Sequence, residues 1–101
     1  MILQDCDLVL DTKHRLLHPN GCDEPIRPTP MESRLLATLM EQPGRILSRA
    51  HLVKRVWRTD YLRDTRTLVV HVCWLRRKLE YDPSHPRRIV THRGLGYELR
   101  V

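Results

Sequence analysis

The side chains with the most chemical potential lie in the second half of the chain. Arg66, Thr67, Val70, His71, Trp74, Arg77 and Lys78 fall within one short stretch, Trp57 precedes them, and Thr91 and Arg93 follow. Guanidinium and ammonium groups neutralise phosphates, hydroxyls and indole N–H groups donate to phosphate oxygens, and apolar side chains meet thymine methyls. The set suits a grooved polyanion.

Other chemistries have less material. Ser33 and Ser48 belong to helix-associated positions and Ser84 to a Pro-rich turn, with no oriented base beside them. His71 could act as a base, but no carboxylate stands at helical spacing to orient it. Gly94 and Gly96 lie between two strand-like runs, not between a strand and a helix, so they form no phosphate-cradling loop. Cys6, Cys22 and Cys73 contain no CxxC pair, and the His18/Cys22 spacing lacks the further ligands of a zinc site. No enzyme, metal or cofactor is expected.

Composition agrees. The chain has 101 residues with 18 Lys+Arg against 12 Asp+Glu, 41% hydrophobic and 30% charged, a size and balance for one domain. Residues 1–24 carry a net charge of −3 and residues 25–101 a net of +9. That basic body favours a polyanion such as nucleic acid. No apolar run approaches the ~20 residues of a membrane span, and Asp5 and Asp7 stand where a secretory signal would need cations. Three scattered cysteines read as reduced thiols, so a cytoplasmic location is expected.

Which elements would position these groups? Residues 1–28 read as a thin antiparallel meander: Cys6–Leu10, then Arg15–His18, a turn at Pro19-Asn20-Gly21, and a return at Ile26-Arg27. Residues 29–80 read as a three-helix core. Thr29-Pro30-Met31-Glu32 combines an N-cap, Pro at the first helical position and a capping box, with Met31, Leu35, Leu36, Leu39 and Met40 on one face and a stop at Pro43-Gly44. Ile46-Leu47 is a brief extended link. Ser48 caps a shorter helix burying Leu52, Val53 and Val56. A polar loop, Arg58 to Asp64, precedes a helix over about Thr65 to Glu80. Residues 87–101 form a hairpin around Gly94 and Gly96.

In that third helix Leu68, Val72, Leu75 and Leu79 form a narrow inward stripe at 100° per residue. The opposite arc holds Arg66, Val70, Cys73, Trp74 and Arg77, with Thr67 and Lys78 beside it and Arg76 nearer the core boundary. Trp74 lies roughly 130° from the stripe's centre, where it either folds back against the wing or loop as peripheral core or, with Val70, offers apolar contact to thymine methyl groups. Arg93 projects from the hairpin tip and suits a narrow minor groove. Helix, loop, helix and basic hairpin make the plan of a winged helix-turn-helix.

These motifs resemble the OmpR/PhoB-type effector domain of bacterial two-component response regulators. The resemblance runs from Leu3 to Val101. It is carried by Thr29-Pro30-Met31-Glu32, Ser48-Arg49-Ala50, Val56-Trp57, Asp64-Thr65-Arg66-Thr67, His71-Val72, Leu75-Arg76-Arg77-Lys78-Leu79-Glu80 and Thr91-His92-Arg93-Gly94-Leu95-Gly96-Tyr97. It implies an α+β fold with an N-terminal four-stranded antiparallel sheet, three helices and a C-terminal wing. It also implies sequence-specific duplex DNA binding and control of transcription, on direct-repeat sites bound head-to-tail. Trp57, Thr67 and Thr91 resemble phosphate contacts, Arg66, Val70, Trp74 and Arg77 lie where bases are approached, and Arg93 resembles the minor-groove arginine. His71 and Lys78 complete the expected DNA-binding set. Arg58, Thr59, Asp60, Tyr61, Leu62 and Arg63 match a loop that faces RNA polymerase in some members. The receiver domain that most members carry upstream has no counterpart in these 101 residues, so an excised output domain is expected.

The chain departs from the family pattern at Ala50, Val69, Cys73, Trp74 and His92. Its reading face is apolar at the centre and cationic at the ends. An alternative is thereby kept open: a winged helix acting as a protein-interaction module through Val70, Cys73 and Trp74.

Overall fold

The computed structural model describes residues 2–5, 8–19, 24–58 and 66–100. The N-terminal strands β1 (Ile2–Asp5), β2 (Leu8–Asp11) and β3 (Leu16–His18) form one antiparallel sheet in that order. Leu3 pairs with Leu10 and Leu10 with Leu17, which aligns their side chains on the face toward the helices. The β2–β3 turn closes on Asp11. Its Oδ1 accepts from the backbone N–H groups of Lys13 (3.1 Å) and His14 (3.2 Å), and its Oδ2 meets His14 Nδ1 at 2.8 Å. The His14 hydrogen bond holds the Asp11 carboxyl below the ordinary carboxylate range.

This sheet corrects two expectations. Ile2–Asp5 is a strand of its own, and the second strand is Leu8–Asp11; Cys6 and Asp7 lie outside the described residues, as do Asn20 and Gly21. The expected fourth strand is a single bridge, in which Ile26 and Leu17 exchange two backbone hydrogen bonds of 2.7 Å. Pro25 and Pro28 explain its brevity, since proline offers no N–H to a ladder.

The helices follow their local signals. Helix α1 (Pro30–Glu41) starts on a complete capping box: Thr29 Oγ1 accepts from Glu32 N–H (3.2 Å), and Glu32 Oε1 from Thr29 N–H (2.7 Å). Helix α2 (Arg49–Trp57) is capped by Ser48, whose hydroxyl accepts from His51 N–H at 3.1 Å. It ends at Arg58, held in the left-handed conformation with φ 56°. Helix α3 spans Arg66–Leu79. The core joins Leu35, Leu36 and Leu39 of α1, Leu52 and Val56 of α2, and Leu68, Val72, Leu75 and Leu79 of α3, with Leu10 and Leu17 from the sheet.

A second sheet closes the molecule. Strands β4 (Ile46–Leu47), β6 (Gly96–Leu99) and β5 (Ile89–His92) lie in that order, all antiparallel. Ile46-Leu47 is therefore more than a link: it pairs with Glu98 and Tyr97. Gly96 makes this approach possible. Its φ is +152°, and a Cβ there would lie 1.9 Å from the Leu47 carbonyl oxygen. The result is an α+β winged helix-turn-helix with three helices and a C-terminal hairpin wing.

Candidate nucleic-acid interface

Helix α3 divides its side chains as the periodicity requires. Leu68, Val72, Leu75 and Leu79 are buried, while Arg66, Thr67, Val70, Cys73, Trp74 and Arg77 are exposed. Val70 and Trp74 keep 41% and 44% of their surface, and Val69 beside them 47%. The outer face is thus apolar between two arginines.

His71 sits at the edge of that face and organises it. Its Nδ1 donates to the Thr67 carbonyl at 2.7 Å, one turn back, which fixes the ring. The Trp57 ring meets it edge-on with centroids 5.3 Å apart, and the Trp74 ring leans on it at 5.1 Å and 55°. Three rings from α2 and α3 therefore make contact in sequence. Trp57 is partly buried against the core, whereas Trp74 is held on the outside.

The wing is tied to α3 by groups that the sequence pattern did not single out. Arg76, facing inward, donates from Nε (3.2 Å) and Nη2 (2.8 Å) to the Ile89 carbonyl, and from Nη2 to Thr91 Oγ1 (2.7 Å). Its guanidinium also lies 5.9 Å from the Tyr97 ring centroid. Glu80 accepts from the backbone N–H groups of Arg87 (3.0 Å), Arg88 (3.0 Å) and Ile89 (2.9 Å), gathering the entry to β5. Only Arg76's position near the core boundary hinted at this; nothing local could name its partners.

Lys78 is not brought to the outer face. Its ammonium pairs with Glu32, a fully buried carboxylate of α1 that also receives the Thr29 N–H. Burial alone would raise the Glu32 carboxyl, but the hydrogen bonds from Lys78 and Thr29 overcome it and hold the group below its ordinary value.

At the wing tip, Leu95 N–H donates to the His92 carbonyl at 2.9 Å, and Gly94 takes the positive φ, +76°. Arg93 is left exposed in that turn. Thr91 is exposed too, its hydroxyl oriented by Arg76. His92 Nε2 meets Glu98 Oε1 at 2.6 Å across the hairpin; this bond, opposed by burial and assisted by Arg100, keeps the Glu98 carboxyl below its ordinary range. Of the expected polymerase-facing loop only Arg58 can be placed, exposed at the end of α2; Thr59, Asp60, Tyr61, Leu62 and Arg63 lie outside the described residues. Among the described residues no His, Cys, Asp and Glu groups gather as a metal site, and no helix is long and apolar enough to cross a membrane.

Comparison with known proteins gives one consistent result. The family model described as "Transcriptional regulatory protein, C terminal" matches residues 23–99. The sensory transduction protein RegX3 of Mycolicibacterium smegmatis is 45% identical over 98 residues, covering 97% of this chain and 42% of that protein. The KDP operon transcriptional regulatory protein KdpE of Escherichia coli is 35% identical over 95 residues, covering 94% and 41%. The chain thus spans less than half the length of these curated relatives. Among solved structures, the Klebsiella pneumoniae RstA DNA-binding domain in complex with the RstA box superposes with a TM-score of 0.85 at 26% identity, covering 98% of this chain and 96% of that one. The Thermotoga maritima OmpR/PhoB homolog DrrB does so with a TM-score of 0.83 at 25% identity, covering 99% and 44%. With this fold, this wing and a match across three quarters of its length, the chain belongs to the OmpR/PhoB-type family of winged-helix C-terminal domains of transcriptional regulatory proteins.

Proposed function

We propose that this domain binds double-stranded DNA sequence-specifically as the output domain of a response regulator controlling transcription, with α3 in the major groove and Arg93 in the minor groove. The observation that carries the reading is the division of α3: its inner face is wholly committed to the core, and its outer face presents Arg66 and Arg77 beside the exposed wing-tip Arg93. The likeness to the RstA domain, a protein bound to its DNA box, supports it. Trp57, Thr67, His71 and Thr91 are the proposed backbone-positioning groups, and Arg66, Val70, Trp74 and Arg77 the groups that meet base edges or flanking phosphates. In this reading Lys78 acts from within, fixing α3 against α1.

Head-to-tail occupancy of direct repeats, contact of RNA polymerase by the Arg58–Arg63 loop, and a receiver domain upstream belong to the same proposal. The test is fluorescence anisotropy against salt on duplexes selected from random DNA. Neutralising ~4–6 phosphates per monomer gives a slope of log K on log salt of about −4 to −5. A flat, weak and sequence-blind response would instead favour a protein partner on the exposed Val70, Cys73 and Trp74 surface.

A further inference from the structure

Between Arg66 and Arg77 the outer face of α3 offers no group able to read a purine by paired hydrogen bonds. That task needs Arg, Lys, Asn or Gln directed at the base edge. The intervening sequence contains none except Arg76, and Arg76 is turned inward onto Ile89 and Thr91. What remains exposed at the centre is Val70, Cys73 and Trp74. Trp74 is also braced: its ring rests on His71, which is itself held by Thr67 and faced by Trp57. A braced aromatic loses little freedom when it meets a ligand, so its apolar area is available for recognition.

The flanking charges set the occupant. Arg66 and Arg77 are eleven residues apart, about 16 Å along a helix, enough to reach phosphates on both sides of a major groove about 12 Å wide. An apolar centre between two phosphate-seeking ends matches the one apolar feature of the major groove, the methyl group on C5 of a pyrimidine.

Resting on the DNA-binding reading above, we infer that the Val70/Trp74 centre of α3 recognises pyrimidine 5-methyl groups, preferring thymine and accepting 5-methylcytosine. Each methyl buried there changes affinity about fourfold. The preference is for the methyl itself, so it persists when the rest of the base edge is unchanged.

The experiment uses this domain and the duplex it selects from random DNA. Thymines of the selected core are replaced one at a time by deoxyuridine, which removes only the methyl, and cytosines by 5-methyldeoxycytidine, which adds it. Expected are about fourfold weaker binding for uracil at one or two central positions and tighter binding for 5-methylcytosine at a covered one. In Trp74→Ala the thymine-over-uracil ratio falls toward one while the salt slope is kept, with circular dichroism confirming the fold. Trp74→Arg, which replaces the apolar contact by a paired donor, shifts selection toward guanine. Equal binding of thymine and uracil duplexes at every position, or a selected core without thymine, overturns the inference while leaving DNA binding intact. Failure to select any duplex, with no salt dependence, overturns the DNA-binding reading and this inference with it.

Discussion

The two flanks of α3 carry similar cations and use them differently. On the inner flank, Arg76 binds the Ile89 carbonyl and the Thr91 hydroxyl, and Lys78 pairs with buried Glu32. On the outer flank Arg77 is exposed, as is Arg93 on the wing that Arg76 anchors. The inner pair fixes α3 against the wing and against α1; in the proposed reading the outer pair meets DNA. A run such as Arg76-Arg77-Lys78 therefore is not one patch. Each cation's use depends on what folding places opposite it.

The comparison is most severely tested where the wing meets β4. Gly96→Ala should cost about 4 kcal/mol, because the new Cβ would collide with the Leu47 backbone at a φ that side chains rarely adopt. A melting temperature lowered by roughly 15 °C or more would register it. A mild effect would mean that the close approach of β4 and β6 is adjustable.

Lys78→Ala should come next, at about 2 kcal/mol. It strands a buried carboxylate, though the lysine itself is 29% exposed, which softens the loss. Glu32's carboxyl is held below its ordinary value in the folded state, so its contribution is present above the unfolded-state pKa near 4.3 and is lost as pH falls through the lower folded value. Denaturant titrations across that acid range should show a flatter pH dependence for the variant. Outer-flank behaviour instead, with unchanged stability and weaker DNA binding, would break the division.

Arg93→Ala should leave melting unchanged and cost about 1 kcal/mol in DNA binding, chiefly where an A·T-rich segment lies under the wing. It should reduce the salt slope by about one. Equal losses on A·T-rich and G·C-rich flanks would remove the minor-groove assignment. Arg77→Ala sharpens the contrast with Arg76→Ala. The first should lower affinity alone, whereas the second should also loosen the wing, visible as faster amide exchange at Ile89 and Thr91. Smallest of all, Cys73→Ser should change stability by less than about 0.5 kcal/mol, as expected of an exposed position.

Much of the fold was legible because its signals are local. The Thr29/Glu32 capping box, the Ser48 cap, the Leu68/Val72/Leu75/Leu79 stripe and the two-glycine hairpin each lie within about three turns of chain, and each appears where the pattern put it. The outward position of Val70 and Trp74 follows from the same 100° step. The limits were equally physical. The Ile26 strand dwindled to a bridge between two prolines, and Ile46-Leu47 became a strand only because β6 arrived beside it.

By itself, then, the sequence determined the helices, the wing, the basic balance and which arc of α3 faces solvent, since caps, periodicity and charge act over a few residues. Tertiary structure alone decided that Lys78 serves Glu32, 46 residues away, that Arg76 orients Thr91, and that the Trp57 ring meets His71 edge-on. Such pairings join groups whose separation along the chain carries no trace of their separation in space. A long cationic side chain can reach either a ligand or a buried carboxylate, and only the packing of the helices settles which one lies within its reach.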